Sequence, residues 1–271
     1  MKRIEKIKNF FKYRKELWSQ LNSLLYTKQV ENKLKSFNIQ KLPEVSVSEF
    51  FAFYGNPDLN LAVVSDFSDG ISPINDYYFL CRIAKVLKTK TYFEIGTWLG
   101  LSARNIADAM GAGTQIFSLD IPFDHPEIEI FKIPKEIFGH YSKDYPNVHF
   151  LKSDSKEFDF SKYYGTADFV FIDGNHSAEY VESDSRNGLK LLKNDDSVIA
   201  WHDYTVLGEV NKEVLCGILK AVPQSEHKHL YHLQQSNMAI FSKSFDFKER
   251  ETPKWEIPEN IYKLDINILK K

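Results

Sequence analysis

Thr91-Tyr-Phe-Glu-Ile-Gly-Thr-Trp-Leu-Gly-Leu-Ser102 joins a short apolar run to a turn that contains two glycines. The aromatic and β-branched residues before the turn favour a buried strand. Gly96 and Gly100 allow the backbone to turn tightly and to come close to a ligand, and Ser102 is placed to cap a helix over residues 103–110. Because helix N-termini attract polar and anionic groups, this strand–turn–helix unit predicts a site for a nucleotide-type cofactor.

The spacing of the turn narrows the choice of cofactor. A dinucleotide fold requires G-x-G-x-x-G, whereas this chain has Glu94-x-Gly96-x-x-x-Gly100, and no lysine follows Gly100 as a P-loop would require. Asp120, at the end of the next apolar run, is placed to accept hydrogen bonds from a ribose diol. The sequence therefore favours a nucleoside-containing cofactor that is not a dinucleotide. The alternative is an ordinary glycine-containing turn followed by an incidental acid.

Apolar runs and helical patterns alternate along the middle of the chain. Strands are predicted at residues 91–95, 115–120, 147–151, 168–173 and 197–201, and helices at 77–87, 102–110 and 178–192. This alternation predicts an α/β fold with a parallel sheet covered on both faces. Ligands bind beyond the carboxyl ends of such strands. The chain places seven polar residues there: Glu94, Asp120, Asp154, Asp173, His176, His202 and Asp203.

Several segments resemble one family, the class I S-adenosylmethionine-dependent methyltransferases. The family's first motif is similar to the Glu94–Gly100 turn, and residues 147–155 and 167–176 resemble its third and fourth strands with the acids that follow them. Residues 189–204, which end in His-Asp-Tyr, resemble a small-molecule O-methyltransferase branch related to cephalosporin hydroxylase-like and macrolide-sugar methyltransferase-like proteins. The resemblance covers about residues 76–204.

The resemblance implies both a fold and a set of cofactor residues. The fold is a Rossmann-like, doubly wound, mostly parallel seven-stranded sheet with an antiparallel last strand, which residues 228–234 and 238–242 complete. The cofactor is S-adenosylmethionine: Glu94 would bind its amino group, the glycine turn its methionine part, Asp120 its ribose and Asp154 its adenine. The full predicted set is Glu94, Gly96, Thr97, Gly100, Ser102, Asp120, Asp154, Ser155 and Asp173.

The chain departs from the family pattern in two places. Asn-Asp-Asp at residues 194–196 replaces the usual Pro-Gly-Gly, but these residues also tolerate turn conformations. An insert at residues 122–144, rich in proline and aromatic residues, separates the second and third predicted strands. The insert leaves the class of substrate open.

Two acids and two histidines carry the predicted chemistry. Asp173 and Asp203 end neighbouring predicted strands, so both carboxylates can face one cavity. Converging carboxylates suit Mg²⁺ or Ca²⁺, and an added imidazole from His202 or His176 shifts the preference toward Mn²⁺, Fe²⁺ or Zn²⁺. The predicted metal set, which the resemblance also implies, is Asp173, His202 and Asp203, and the predicted catalytic set is Asp173, His176 and His202. In the alternative without a metal, Asp173 orients the methionine part of the cofactor and His202 is a hydrogen-bonded strand end.

These residues predict transfer of a sulfonium methyl group to a hydroxyl of a small molecule, such as a sugar or a natural product. A bound metal would lower the pKa of that hydroxyl, or His176 would remove its proton as a general base. Three alternatives stay open. They are a NAD-dependent oxidoreductase, which the glycine spacing disfavours, a metal-dependent hydroxylase-like enzyme on the same fold, and a non-catalytic cofactor-binding scaffold, which would not need converging acids and imidazoles.

Composition is that of an ordinary globular protein: 271 residues, 43% hydrophobic, with a formal net charge of −2. It gives no indication of nucleic-acid binding. Cys81 and Cys216 fall in apolar helical patterns, which predicts reduced thiols and a cytoplasmic location. No apolar run approaches the length of a membrane span.

The N-terminal segment is basic and amphipathic. Its first 20 residues contain seven basic and two acidic side chains, which predicts a helix that lies on an anionic membrane surface, packs on the domain, or packs on the second subunit of a homodimer. The chain is thus divided into an N-terminal helical extension at 1–75, an S-adenosylmethionine-binding methyltransferase domain at 76–245 and a C-terminal extension at 246–271.

Overall fold

A single large sheet organises the computed structural model of the chain. The structure describes residues 2–46, 49–50, 53, 59, 61, 72–122 and 137–245, and it describes residues 2–19 as helix backbone only. Most of the predicted insert, residues 123–136, and the predicted C-terminal extension, residues 246–271, lie outside the described residues.

Ten short strands are present in the described part of the chain. They are β1 (Glu44–Val45), β2 (Thr91–Ile95), β3 (Gln115–Asp120), β4 (Val148–Lys152), β5 (Phe169–Ile172), β6 (Val198–Trp201), β7 (Thr205–Val206), β8 (Glu209–Val210), β9 (Leu230–Leu233) and β10 (Ala239–Phe241). Eight of them form one sheet in the order β1-β9-β10-β6-β5-β2-β3-β4, while β7 and β8 form a separate hairpin. Within the sheet β10 runs antiparallel to both of its neighbours, and the other pairs are parallel.

Helices cover both faces of the sheet. They are α1 (Lys2–Phe37), α2 (Ile74–Val86), α3 (Leu101–Met110), α4 (Ala178–Leu191) and α5 (Lys212–Ala221). The helices α2 and α3 pack together on one face, and α4, α5 and the C-terminal half of α1 pack on the other. Each face therefore has its own apolar core.

The central strands are buried on successive residues because both faces are covered. On β2, Tyr92 points into the core with α2 and α3, and Phe93 points into the core with α4 and α5. On β5, Val170 and Phe171 divide between the two cores in the same way. The doubly wound, mostly parallel sheet with an antiparallel last strand is confirmed.

The strand count differs from the predicted seven. The extra strand, β1, lies in the segment that was predicted to be a helical extension, and it pairs in parallel with β9 through Glu44 opposite His232 and Val45 opposite Leu233. Without β1, β9 would present an unpaired sheet edge to solvent, and native folds usually cover such edges. The side chains of Val30, Leu34 and Leu42 are also buried in the core. The domain boundary at residue 75 stays a prediction.

Candidate functional site

The glycine turn after β2 is held against the end of β5. Gly96 has φ of +105°, and a Cβ at this position would lie 2.0 Å from the backbone oxygen of Asp173. Gly100 has φ of +74° and begins α3, and a Cβ there would meet Ser142 Oγ at 2.2 Å. Both positions therefore require glycine, because any side chain would push the turn away from its neighbours.

The carboxylate of Asp120, at the end of β3, fixes the shape of this turn. Its Oδ2 accepts hydrogen bonds from the backbone N–H groups of Thr97 and Trp98, each at 2.9 Å, and its Oδ1 accepts one from Ile121 at 2.8 Å. Burial raises the pKa of Asp120, although these backbone donors oppose the rise. Asp120, which was predicted to bind ribose, thus holds the glycine turn in place.

Glu94 lies beneath the turn rather than in front of it. Its carboxylate is fully buried and accepts hydrogen bonds from the hydroxyls of Tyr92, Ser102 and Ser118 at 3.1, 2.8 and 2.6 Å. Burial raises the pKa of Glu94 to about 7, against the opposing effect of these hydroxyls. Thr97 is buried as well, with its hydroxyl 2.6 Å from Ser118 Oγ.

A cavity of about 570 Å³ opens beyond the carboxyl ends of the strands. This is the crevice in which open α/β sheets bind their ligands, and its volume suits a small molecule. Among the predicted site residues the cavity wall includes Gly96, Asp120, Ser155, Asp173, His176, His202 and Asp203. The structure does not bring Glu94, Thr97, Gly100, Ser102 or Asp154 to that wall.

Asp154 does not line the cavity, but it hydrogen-bonds to a tyrosine that does. Its Oδ2 accepts a hydrogen bond from the hydroxyl of Tyr180 at 2.8 Å, and its Oδ1 accepts one from the backbone N–H of Lys156 at 2.8 Å. Tyr180 and Ser155 both line the cavity. The contact of Asp154 with adenine stays a prediction. The cavity wall is formed by its neighbour Ser155 and its hydrogen-bond partner Tyr180, not by Asp154 itself.

An acid–imidazole cluster forms one side of the cavity. His176 Nε2 lies 2.9 Å from Asp203 Oδ2, and His202 Nδ1 lies 3.2 Å from Asp173 Oδ1 and 3.1 Å from Asp203 Oδ1. Ligand atoms of Asp173, His176 and Asp203 all lie within 4.8 Å of one another. The side chain of His176 is 42% exposed, whereas that of His202 is 7% exposed.

The cluster shifts the pKa values of its members. Burial lowers the pKa of His176, but the hydrogen bond and the charge of Asp203 outweigh it, and the net shift is upward. Burial likewise lowers the pKa of His202, but Asp173, Asp203 and Asp76 together hold it well above its ordinary value. Burial raises the pKa of Asp203, but hydrogen bonds from the two imidazoles bring it below its ordinary value. The cluster therefore favours an ionised Asp203 beside basic imidazoles.

Sequence reasoning missed several residues at this site, among them Asp76, Trp98, Tyr180 and Asn237. Trp98, Tyr180 and Asn237 line the cavity, and Asp76 contacts His202 from α2. Trp98 sits inside the glycine turn, and Tyr180 lies in the first turn of α4, soon after His176, so both could have been proposed from their positions beside predicted site residues. Asp76 and Asn237 carry no local signal, because only the tertiary fold brings them to the site.

The fold and the cavity define a Rossmann-like α/β protein with its ligand site at the carboxyl ends of the sheet. Residues 93–204 match the family model that is described as a methyltransferase domain. This segment is therefore similar to a methyltransferase domain, which agrees with the predicted resemblance to class I S-adenosylmethionine-dependent methyltransferases. The narrower resemblance to cephalosporin hydroxylase-like and macrolide-sugar methyltransferase-like proteins stays a prediction.

Solved structures with a similar fold include two methyltransferases. One is a methyltransferase of Podospora anserina bound to S-adenosylhomocysteine, with 16% identity, coverage of 65% of this chain and 80% of that chain, and a TM-score of 0.44. The other is an O-methyltransferase of Bacillus cereus in complex with S-adenosylhomocysteine, with 18% identity, coverage of 66% and 82%, and a TM-score of 0.43. None of the curated proteins matches the chain.

Proposed function

We propose that this protein transfers the methyl group of S-adenosylmethionine to a hydroxyl of a small molecule, with a divalent cation beside the acceptor. One observation carries the proposal. The glycine turn of the methyltransferase segment and the acid–imidazole cluster share a single cavity wall, where the backbone N–H of Asp173 donates to the carbonyl of Ile95, the residue before Gly96, at 2.7 Å. A donor bound at the turn would therefore have its reactive end next to the cluster.

The chain's own residues supply the binding surface. Gly96 and Trp98 of the turn line the cavity, Asp120 offers the remaining lone pair of its Oδ1 oxygen to a hydroxyl group, and Ser155 and Tyr180 offer hydroxyls farther along the wall. Methyl transfer depends mainly on holding donor, methyl group and acceptor in line. A turn fixed by the two backbone hydrogen bonds to Asp120 is suited to that task.

His176 is the residue that we propose removes the acceptor proton. An alcohol is a poor nucleophile until its proton is lost, and a base must lie at the cavity to take it. His176 is the more exposed of the two imidazoles, and Asp203 at 2.9 Å would stabilise the imidazolium that forms. The raised pKa of His176 makes the neutral imidazole a stronger base than an isolated histidine.

The donor set also fits a divalent cation. Two carboxylate oxygens, of Asp173 and Asp203, lie near His202 Nδ1 at 3.2 and 3.1 Å, and a mixed carboxylate and imidazole set suits Mn²⁺ or Fe²⁺ better than Ca²⁺. A cation held there would lower the pKa of a hydroxyl that binds it. The three residues whose ligand atoms converge within 4.8 Å are Asp173, His176 and Asp203. We assign His202 rather than His176 to the cation, because Nδ1 of His202 lies near both carboxylates, and we assign His176 to the proton.

Formation of S-adenosylhomocysteine tests the proposal. The purified protein is supplied with S-adenosylmethionine and a panel of sugars, phenols and other hydroxylated small molecules, with Mn²⁺ and then with a chelator. We expect product with at least one class of acceptor, a fall on chelation, and a fall on the order of 100-fold in H176Q because the base is lost. The variant H149Q is a matched control, since His149 lies on β4 and bonds to Gln115 at 2.7 Å.

The acid–imidazole cluster also favours a second candidate, a metal-dependent hydroxylase-like enzyme. Non-haem Fe²⁺ oxygenases use two imidazoles and one carboxylate, and the cluster contains the two imidazoles of His176 and His202 beside its carboxylates. Oxygen consumption with Fe²⁺ and 2-oxoglutarate, in the absence of methyl transfer, would favour that candidate and overturn the methyltransferase proposal.

A further inference from the structure

His202 has a carboxylate on each side of its ring. Its Nδ1 faces Asp173 and Asp203 in the cavity wall, and its Nε2 lies 2.9 Å from Oδ2 of Asp76. Asp76 is fully buried in the first turn of α2, 126 residues away in sequence. The methyl-transfer scheme assigns no task to this buried acid.

The second carboxylate oxygen of Asp76 has a partner of its own, which determines the oxygen that is left to accept a hydrogen bond from His202. Its Oδ1 accepts a hydrogen bond from the backbone N–H of Asn237 at 3.1 Å. A backbone N–H can only donate, so that side of the carboxylate must accept. The other oxygen, Oδ2, is then free to accept from His202 Nε2–H.

The geometry points to Asp76 as a positioning residue that keeps the proton of His202 on Nε2, so that Nδ1 offers its lone pair to a cation between Asp173 and Asp203. This inference rests on the metal that we propose for the site. Histidines that ligate metals usually donate their other ring N–H to a carboxylate or a carbonyl, which fixes the tautomer and the ring orientation. A cation that enters the cluster displaces a proton from Nδ1 while the bond to Asp76 stays in place.

Asparagine at position 76 would reverse this arrangement with little change in shape. Its carbonyl oxygen must face the N–H of Asn237, because the opposite orientation sets two donors against each other. Its amide NH₂ then faces His202 Nε2, which has to accept. The ring proton moves to Nδ1 and points at Asp173 and Asp203, where it occupies the direction of the metal bond.

Mn²⁺ binding measured by electron paramagnetic resonance of the free ion tests the inference without any assay of activity. We expect D76N to weaken Mn²⁺ binding roughly 10- to 100-fold. The matched control is D168N. Asp168 also accepts two backbone N–H groups, those of Lys90 and Thr91 at 2.7 and 3.0 Å, but at the amino end of β2. We expect D168N to keep the wild-type Mn²⁺ affinity.

Two results would overturn the inference. One is a wild-type Mn²⁺ affinity in folded D76N, and the other is an absence of Mn²⁺ binding by the wild-type protein. Neither decides whether the protein uses S-adenosylmethionine, because S-adenosylhomocysteine binding is measured separately on the same preparations. An absence of Mn²⁺ binding would remove the cation from the proposed function.

A second measurement needs no variant and covers the case in which D76N fails to fold. Long-range ¹H–¹⁵N NMR of the Zn²⁺-loaded wild-type protein distinguishes the two tautomers of a histidine ring. We expect His202 to carry its proton on Nε2. A proton on Nδ1 would contradict the inference.

Discussion

At the scale of single residues, burial separates acids that support the site from acids that face the ligand. Glu94 is enclosed by three hydroxyls beneath the glycine turn, whereas Asp173 and Asp203 reach the cavity wall, where the imidazoles lie close to them. Both kinds lie at the carboxyl ends of buried strands and look alike in sequence. Their environments give them different chemistry.

The buried Glu94 should make stability depend on pH. Its ordinary pKa of 4.5 applies to the unfolded chain, and the native pKa is about 7. Between these values the unfolded state loses the proton and the native state keeps it, so the stability contributed by protonated Glu94 is lost as pH rises. We expect the free energy of unfolding, relative to E94Q, to fall by about 3 kcal/mol from pH 4.5 to 7.

Urea unfolding across that pH range measures the difference. The exposed Glu157 provides a matched control, because E157Q should follow the wild-type curve. A difference between the wild-type protein and E94Q that does not change with pH would contradict the proposed protonation of Glu94.

The sequence predicted the residues of the site better than it predicted their contacts. Asp120, Asp173, His176, His202 and Asp203 could be named because each follows an apolar run, and the carboxyl ends of parallel strands meet at one edge. The hydrogen-bond partners of the site residues could not be predicted in this way. Glu94 binds hydroxyls that come from three positions, and Asp76 reaches His202 from a helix before the first central strand.

At the scale of secondary-structure elements, α1 changes its surroundings along its length. Leu21, Leu24 and Leu25 are exposed, whereas Val30 and Leu34 are buried against the domain. The phenol of Tyr26 accepts a hydrogen bond from the backbone N–H of Ala178 at the start of α4. The C-terminal half of α1 therefore belongs to the core. Contact of the exposed leucines with a membrane surface or a second subunit stays a prediction.

Two leucines of α1, one buried and one exposed, test whether only the C-terminal half of the helix packs on the domain. We expect L34A to lower the free energy of unfolding by about 2–5 kcal/mol, because it opens a cavity in the core, and L24A to change it by less than about 0.5 kcal/mol. Leu34 is 3% exposed and Leu24 is 68% exposed. Equal losses in the two variants, measured by urea unfolding, would show that α1 does not pack on the domain as described.

Elements with strong local patterns were predictable, and elements that depend on neighbours were not. The alternation of apolar runs gave β2, β3, β5 and β6, whose burial on both faces leaves a continuous apolar signature. The two-residue strand β1 has no such signature, since it exists only by pairing with β9. The hairpin of β7 and β8 is equally short.

At the scale of the whole molecule, the doubly wound sheet gathers residues from distant parts of the chain at one edge. The strand order places β2, β5 and β6 side by side, so the glycine turn, Asp173 and the His202–Asp203 pair meet although more than a hundred residues separate the first from the last. Among the described residues, no helix is both long enough and apolar enough to cross a bilayer. The cytoplasmic location stays a prediction.

Calorimetric titration with S-adenosylhomocysteine tests most directly the claim that the cavity binds an S-adenosyl cofactor. We expect the wild-type protein to bind one equivalent and D120A to bind it at least about 10-fold more weakly, because the variant loses the Oδ1 acceptor for a ligand hydroxyl and the hydrogen bonds that hold the turn. NAD should not bind. Absence of S-adenosylhomocysteine binding, or binding of NAD in its place, would contradict the account.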